Sequence, residues 1–325
     1  MRTPLFIFLP LLFAFSPGMA QESATVYFDH MDQPCAADTA YYKKTGTKEA
    51  DGKWHVFQSL MRSDQPFAEG YYPDNSFLHG DGEFIYYYDY RGKKVMEKGL
   101  YKNGKKEGLW KGMYPDNSRH YTSFFTNGSP TGISLSWYST GELLDSTLLD
   151  EKGTGYEKGF WKDGKPSQYG HFLAWKKDGE WTYYYRNGRP SAIDNMKDDK
   201  RLSSTCFDEN GHPSQQYCGL EVESEFPGGQ SAWVSYLSKK MSNASFPKEY
   251  FDGKIYGQVI VEFIVDENGK VTEASVLQHL DPKLDQIALA TINASPKWSP
   301  AIQYNRRVKS YKKQPVTFPK YPGSK

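Results

Sequence analysis

Residues 257–277 read GQVIVEFIVDENGKVTEASVL and contain two strand-like halves around a turn. In the first half, side chains two positions apart are apolar, as on the buried face of a β-strand. That face carries Val259, Val261, Phe263 and Val265. Asp266-Glu267-Asn268-Gly269 is typical of a hairpin turn, because Asn and Gly tolerate positive φ. The stretch therefore predicts an antiparallel hairpin with one buried face.

The sequence on both sides of this hairpin predicts helices. Upstream, Phe226-Pro227-Gly228-Gly229 opens a segment with an apolar stripe at helical spacing. Downstream, Asp281-Pro282 is suited to an N-cap and a first helical position, and a second apolar stripe follows. The two stripes consist of Trp233, Tyr236, Leu237 and Met241, then Leu284, Ile287, Ala288 and Ile292. Residues 308–318 predict a last strand, so the order is helix, strand, strand, helix, strand, and the class is α+β.

This succession resembles the C-terminal domain of TonB proteins over residues 222–320. The motifs that carry the resemblance, in the family's order, are Phe226-Pro227-Gly228-Gly229, Phe246-Pro247, Gly257-Gln258-Val259, Asn268-Gly269-Lys270-Val271, Pro296-Lys297-Trp298-Ser299-Pro300 and Pro315-Val316-Thr317-Phe318. The resemblance implies a domain that binds the short N-terminal box of outer-membrane transporters as an added β-strand. It also implies that Phe246-Pro247 is the aromatic-Pro pair that contacts the box, although Tyr is usual there; packing against the first helix is the alternative.

The last strand is predicted to lie at a sheet edge, because Pro315 has no N–H to contribute to a β-ladder. An edge strand leaves backbone groups with which an extended peptide can pair. Strand alternation separates the side chains into one face with Gln314, Val316 and Phe318 and another with Tyr311 and Thr317. The residues predicted to bind the partner are Phe246, Pro247, Tyr311, Gln314, Val316 and Phe318.

The C-terminal end is basic: from Asn305 to Lys325 there are seven Lys or Arg and no acidic residue. One interpretation is that Lys309, Lys312 and Lys313 protect the edge strand from pairing with another copy. The other is attraction of an acidic peptide or of anionic envelope polymers. An exposed edge could also join two copies, which makes a homodimer a further expectation.

A second pattern occupies residues 50–212. Gly followed closely by an aromatic residue recurs, and a ladder of turn residues follows with nearly the same period of 23 to 25 residues. The Gly-aromatic steps include Gly52-Lys53-Trp54, Gly82-Glu83-Phe84, Gly108-Leu109-Trp110 and Gly179-Glu180-Trp181. Each unit then predicts a pair of short strands, and stacked units predict a long antiparallel sheet. The pattern resembles the MORN-like repeats of bacterial exported proteins, with residues 24–29 and 40–42 as atypical first strands.

The turns and the aromatic residues of these repeats allow more detailed predictions. Asn103-Gly104, Asn127-Gly128, Asp163-Gly164 and Asn187-Gly188 favour tight hairpin turns. Strand alternation predicts Tyr86 and Tyr88 on one face and Tyr87 on the other. The rings either pack the sheet or form an exposed strip that stacks on sugars or peptides.

The first twenty residues have the features of a signal peptide. Arg2 precedes the apolar run from Leu5 to Phe15, and Ser16-Pro17-Gly18-Met19-Ala20 offers small residues at a cleavage site before Gln21. The run is too short for a bilayer span of about 20 residues. Export to the periplasm is the expectation, and an uncleaved inner-membrane anchor is the alternative.

Three cysteines and seven histidines offer few candidate sites. Cys206 and Cys218 flank a short loop and predict a disulfide in an oxidising compartment, with Cys35 left over. The histidines are scattered without metal-ligand spacing, and neither a phosphate-binding loop nor a nucleophile elbow is present. We therefore expect no catalytic residue, no metal and no cofactor. With 40 basic and 39 acidic residues, nucleic acid is not an expected partner.

These patterns predict a signal peptide at residues 1–20, a MORN-like β-repeat domain at 21–212, a linker at 213–225 and a TonB-like domain at 226–320. We expect a non-catalytic periplasmic adaptor that binds an outer-membrane transporter or another envelope protein by β-strand addition. The alternative is a TonB-type energy transducer for transmembrane transport with an uncleaved N-terminal anchor. Such transducers carry a long Pro-rich spacer; repeats occupy that place in this sequence, which favours the adaptor.

Overall fold

The computed structural model describes residues 21–61 and 65–321, and this part divides into two compact units between Gly141 and Glu142. The predicted signal peptide at residues 1–20 lies outside the described residues. In the described part, no helix is long and apolar enough to cross a membrane. The predicted domain boundaries stay a prediction.

The first unit is an antiparallel sheet in which each strand pairs with its neighbours in the chain. This order suits stacked hairpins, because each hairpin buries its apolar face against the next. The core includes Trp54, Phe77, Phe84 and Trp110. The strands are β1 (Ser23–Phe28), β2 (Tyr42–Lys48), β3 (Trp54–Leu60), β4 (Pro66–Tyr72), β5 (Gly82–Asp89), β6 (Lys94–Lys102), β7 (Lys105–Met113), β8 (Arg119–Thr126) and β9 (Ser129–Trp137).

The second unit begins with six more strands of the same kind, again paired in chain order. They are β10 (Leu143–Leu149), β11 (Gly155–Phe160), β12 (Pro166–Leu173), β13 (Lys176–Tyr184), β14 (Pro190–Lys197) and β15 (Lys200–Cys206). Their core contains Trp181, Tyr183 and Ala192. The predicted fold class, a mainly β repeat region followed by an α+β domain, is confirmed.

Two repeat tryptophans occupy equivalent buried positions, one in each unit. Trp110 packs on Gly99 and Trp181 packs on Gly170, and a Cβ at either glycine would overlap the indole ring. Each indole N–H donates to a backbone carbonyl of the neighbouring strand, at 3.0 and 2.9 Å. The close approach requires glycine. For these two rings the packing interpretation therefore holds.

The four predicted turn pairs fall into two kinds. In Asn103-Gly104 and Asn127-Gly128 both residues have positive φ, as a two-residue type I′ turn requires. Asp163-Gly164 and Asn187-Gly188 lie in turns one residue longer, in which only the glycine of the pair has positive φ. These turns are closed by the backbone hydrogen bonds from Trp161 to Lys165 and from Tyr185 to Arg189, each 2.8 Å long. There the Asp or Asn side chain accepts the backbone N–H two residues later, which closes an Asx turn. All four pairs therefore lie in tight hairpin turns as predicted, and the second two differ in that only the glycine has positive φ.

The tyrosines at positions 86–88 alternate between the two faces of the sheet. The Tyr86 hydroxyl contacts the Tyr101 hydroxyl, whereas the Tyr87 hydroxyl donates to Glu69 on the other face. The pairing of β5 with β6 shifts register between Tyr86 and Tyr87 and again after Tyr87. Tyr86 packs against the core, whereas Tyr88 is 45% exposed. Tyr88 lies on the same side as Tyr86, where it interacts with Tyr121, and it is more exposed because it lies near the end of β5. The predicted placement of Tyr86 and Tyr88 on one face and Tyr87 on the other is therefore confirmed.

The remainder of the second unit is α+β. A three-stranded antiparallel sheet, ordered β17-β16-β20, packs its apolar face against two helices. The elements are α1 (Gly229–Ser242), α2 (Lys248–Phe251), β16 (Gly257–Val265), β17 (Val271–Gln278), α3 (Pro282–Asn293), β18 (Ala301–Gln303), β19 (Arg306–Val308) and β20 (Ser310–Phe318). The predicted hairpin, both helices and the last strand are present. The structure adds α2 and a small β18–β19 hairpin before β20.

The start predicted for the helix after the hairpin, which is α3 in the structure, is correct in detail. The Asp281 side chain accepts the backbone N–H groups of Lys283 and Leu284 at 3.0 and 3.3 Å, and Pro282 follows the cap. An Asp N-cap stabilises a helix by about 1 kcal/mol relative to Ala. The buried face of this helix, with Leu284, Ala288 and Ile292, packs against the sheet.

Candidate partner-binding edge of the C-terminal sheet

The edge position predicted for the last strand is confirmed. Strand β20 pairs with β16 in a continuous antiparallel register from Gly257 opposite Phe318 to Val265 opposite Ser310. It is the terminal strand of its sheet, with no second strand partner among the described residues. Pro315 lies opposite Ile260 in this register. A proline is tolerated there because an edge strand needs to satisfy only one neighbour.

The side chains of β20 alternate between solvent and core. Tyr311 is 80% exposed, and Lys313, Pro315 and Thr317 are exposed on the same face. Val316 and Phe318 are buried. Among the predicted binding residues, Tyr311 is therefore available to a partner. The side chains of Val316 and Phe318 belong to the core, and only their backbone could take part in binding.

Gln314 lies between the exposed and the buried side chains of β20. It is half-buried, and its amide oxygen accepts the indole N–H of Trp233 at 2.7 Å. This hydrogen bond ties β20 to helix α1. A groove of about 340 Å³ lies here between the start of α1 and the strand, and its lining includes Gln230, Lys313 and Trp298. The groove gives the edge a neighbouring concave surface.

Phe246 and Pro247 lie at the other end of β20. Pro247 is buried and directly precedes α2, while Phe246 is half-buried. The Phe246 ring lies 4.7 Å from the Tyr250 ring and 6.2 Å from the Phe318 ring, measured between centroids. The pair therefore packs beside the end of the strand, and its contact with a partner stays a prediction.

Two exposed rings extend this aromatic cluster and were not predicted. Phe251 and Tyr321 are each 43% exposed, and their rings lie 5.2 Å apart edge-to-face. Partly exposed aromatic side chains are typical of protein contact sites. The sequence signal for them was weak, since neither residue belongs to a periodic pattern.

The basic residues of the C-terminal end do not share one environment. Lys312 forms an ion pair of 2.9 Å with Glu223, whereas Lys313 is exposed. Arg306, counted with the edge charges from the sequence, is buried. The charge near the edge therefore comes from fewer side chains than the sequence suggested.

Arg306 instead joins the C-terminal module to the preceding repeats within the second unit. Its guanidinium donates to the backbone carbonyls of Ser167, at 2.6 Å, and Tyr184. It also lies 4.6 Å from the centroid of the Trp161 ring. Hydrogen bonds from a charged donor are stronger than neutral ones, and two of them fix the β18–β19 hairpin on the repeats.

Neighbouring residues of the same hairpin add to this contact. The Asn305 amide donates to the Phe207 carbonyl at 2.7 Å, and the Tyr185 hydroxyl donates to the Asn305 carbonyl at 2.9 Å. Tyr304 and Asn305 both have positive φ. The hairpin turn thus presents its tip to the repeats, a contact that sequence reasoning missed.

The cysteines and the residue types that bind metals add no further candidate site in the described part of the chain. A disulfide joins Cys206 and Cys218, whose Cα atoms are 5.5 Å apart, and Cys35 is half-buried and outside any disulfide. Within residues 21–61 and 65–321, His, Cys, Asp and Glu form no group of three that could hold a metal ion.

The C-terminal part is thus a small α+β module whose sheet ends in an exposed strand. Residues 242–319 match the family described as Gram-negative bacterial TonB protein C-terminal. The resemblance of the module to this family is therefore confirmed, over about a quarter of the chain. Domains of this family are non-enzymatic protein-interaction modules of the cell envelope.

No curated protein matches the chain. The family match lies outside the repeats, so their MORN-like resemblance rests on the sequence ladder and on the antiparallel sheet that it predicted.

Proposed function

We propose that this protein is a periplasmic adaptor whose C-terminal module binds an extended peptide of an outer-membrane transporter. The peptide pairs with the free edge of β20 and so becomes a fourth strand of the sheet. The observation that carries the proposal is the terminal position of β20 in the order β17-β16-β20. Backbone pairing supplies affinity in this mode, and the side chains beside the strand supply selectivity.

The side chains around the edge support an extended ligand. Tyr311 and Lys313 stand out from β20 on the exposed face, where alternate side chains of a paired peptide would meet them. The groove beside Trp233 can receive side chains that point the other way. Lys309 and Lys313 favour a peptide with acidic residues.

The contacts of Arg306 and Asn305 favour an adaptor over a flexible transducer. They hold the module on repeat strands of the same compact unit rather than at the end of a flexible tether. The repeats then act as a rigid support that fixes where the binding edge lies. An energy transducer needs a connection that can extend across the periplasm.

Peptide binding is tested with the mature chain, residues 21–325. A synthetic peptide with the sequence of a transporter N-terminal box is titrated by calorimetry. The matched control is the same peptide with N-methyl groups on alternate residues, which removes the N–H groups that pair with a strand. We expect binding of the first peptide and loss of binding for the control. Equal binding of both would contradict strand addition, and binding of neither would reject this class of partner.

A second measurement separates the adaptor from the transducer. Mass spectrometry of the protein purified from envelopes identifies the mature N-terminus. A start at Gln21 fits the adaptor, and retention of residues 1–20 fits an anchored transducer. Sedimentation of the purified chain without peptide shows whether the edge pairs with a second copy instead.

A further inference from the structure

A cavity in the first unit has the character of a ligand site. It has a volume of about 390 Å³ and lies among strands β2 to β6. This volume is within the range of small-molecule sites, roughly 300–1,000 Å³. Its lining includes the aromatic rings of Phe67, Tyr72, Phe84, Tyr86 and Tyr101. None of the residues that line it belongs to the edge or to the module described above.

The cavity combines ring faces with hydroxyl and amide groups. The Tyr86 and Tyr101 hydroxyls lie 3.3 Å apart, and the Gln58 amide donates to the Tyr72 hydroxyl at 3.2 Å. A tyrosine hydroxyl can donate one hydrogen bond and accept two, so these groups keep capacity for a ligand. Flat apolar surfaces beside fixed hydroxyls match the two faces of a sugar, its C–H groups and its O–H groups.

Lys44 places a positive charge in this cavity. It is 7% exposed, and its ammonium donates to the Phe77 carbonyl at 2.7 Å and lies 4.3 Å from the Phe28 ring centroid. In the described part of the chain no carboxylate forms an ion pair with it. Burial lowers the pKa of Lys44 to about 8. Burying a cation is costly, and Asp32, which forms no ion pair with Lys44, offsets that cost only in part. An anionic ligand group would offset it further.

The opposite charge lies elsewhere on the lining and gives the cavity a direction. Asp32 is exposed and accepts the Tyr42 hydroxyl at 2.8 Å, and His30 also lines the cavity. A carboxylate at that place accepts hydrogen bonds from ligand hydroxyls but repels a ligand anion. The anionic end of a ligand is therefore directed to Lys44 and its neutral hydroxyls to Asp32.

We propose that this cavity binds an acidic saccharide, a mono- or disaccharide that carries a carboxylate, with the carboxylate on the Lys44 ammonium. The sugar rings lie against Tyr72 and Tyr86, and the hydroxyl groups of Tyr86 and Tyr101 and the carboxylate of Asp32 orient them. Binding at this site is independent of the peptide edge, so either can fail without the other.

Calorimetry on the mature chain tests the site with two disaccharides. The probes are a glucuronate–N-acetylglucosamine disaccharide and diacetylchitobiose, which is neutral and of similar size. We expect the acidic probe to bind at least about tenfold more tightly, because only this probe has a carboxylate that can pair with the Lys44 ammonium. Equal affinity for the two, or no binding of either, would overturn the proposal without any need for a variant.

Three variants, one of them a control, then test whether the ligand binds in the cavity. Lys44→Met keeps the apolar stem, and it should abolish the preference for the acidic probe. Lys43→Met, a change of the adjacent lysine on the other face of β2, should retain it. Tyr86→Phe should weaken the binding of both probes, because the ring is retained and the hydroxyl is lost. If Lys44→Met, shown to be folded by circular dichroism, kept the full preference, the anion would bind elsewhere and the proposal would be rejected.

Discussion

The ring of Tyr304 stacks on the ring of Tyr183, with centroids 3.5 Å apart and planes inclined by 6°. Tyr183 belongs to the repeat strand β13 and Tyr304 to the turn of the β18–β19 hairpin. Both lie in the second compact unit. This stack and the hydrogen bonds of Asn305 and Arg306 make the last repeats and the C-terminal module one folded body. The direction in which the edge strand β20 faces is therefore set by the last repeats of this unit.

Arg306→Ala is expected to destabilise the second unit by about 3 kcal/mol. The change removes two charge-assisted hydrogen bonds and leaves the carbonyls of Ser167 and Tyr184 without their donor. Urea unfolding of the mature chain measures the loss. Arg307→Ala is the matched control, because Arg307 is the next residue of the same strand and is exposed. Equal effects of the two changes would show that the buried contact contributes nothing.

Loss of the disulfide should lower the free energy of unfolding by about 3 kcal/mol. Cys206 and Cys218 are 12 residues apart, and the bond restricts the unfolded chain over this loop. Cys206→Ser also places a hydroxyl in the cluster around Trp181 and Tyr183. Denaturant unfolding compares it with Cys35→Ser, which should leave stability unchanged. A Cys206→Ser protein as stable as the wild type would contradict the prediction.

Tyr311→Ala and Phe318→Ala should separate binding from stability. Tyr311 is 80% exposed, so its removal should change the free energy of unfolding by less than about 0.5 kcal/mol. The same change should weaken binding of the transporter-box peptide. Phe318 is 1% exposed, and Phe318→Ala should cost about 3–5 kcal/mol of stability. If Tyr311→Ala bound the peptide as the wild type does, the exposed face of β20 would not be the contact surface.

Lys44 should make the stability of the first unit rise with alkaline pH. Its pKa is about 8 in the folded protein against 10.5 for an unperturbed lysine, because burial disfavours the charge. Between these values the unfolded chain binds a proton that the folded chain has released. Stability therefore increases with pH across this window, by up to about 3 kcal/mol. Asp32 opposes the shift only in part.

The comparison of wild type with Lys44→Met isolates this contribution. By urea unfolding, Lys44→Met should have a higher free energy of unfolding than the wild type at pH 7. At pH 10 this difference should be smaller, because the wild type has lost the buried charge. Lys43→Met, with its lysine on the other face of β2, should follow the wild type at both values. A pH-independent difference between Lys44→Met and the wild type would contradict a buried, desolvated ammonium.

Much of the binding module could be predicted from the sequence. The hairpin around Asn268-Gly269, the Asp281 cap and the edge position of Pro315 each depend on contacts within a few residues or on a missing N–H. Such local chemistry is visible in any window of the chain. The repeat ladder was equally clear, because one hairpin geometry recurs with one period.

The face and environment of individual side chains were harder to predict. Arg306 was grouped with exposed basic residues, yet it is buried under a contact with Ser167, 139 residues earlier. Val316 and Phe318 belong to the predicted binding strand, but their side chains complete the core of the module. The alternation of side chains along β20 predicts which residues share a face. Only the packing of the sheet against α1 and α3 determines which of the two faces is buried.

The sequence by itself thus determined the stacked hairpins, the α+β order of the module and the edge character of its last strand, because turn chemistry, periodicity and the missing proline N–H act locally. Tertiary structure decided the stack of Tyr304 on Tyr183, the burial of Arg306 and the cavity around Lys44. These features arise where surfaces distant in sequence meet, and burial there changes hydrogen bonding and charge in a way that no local pattern records.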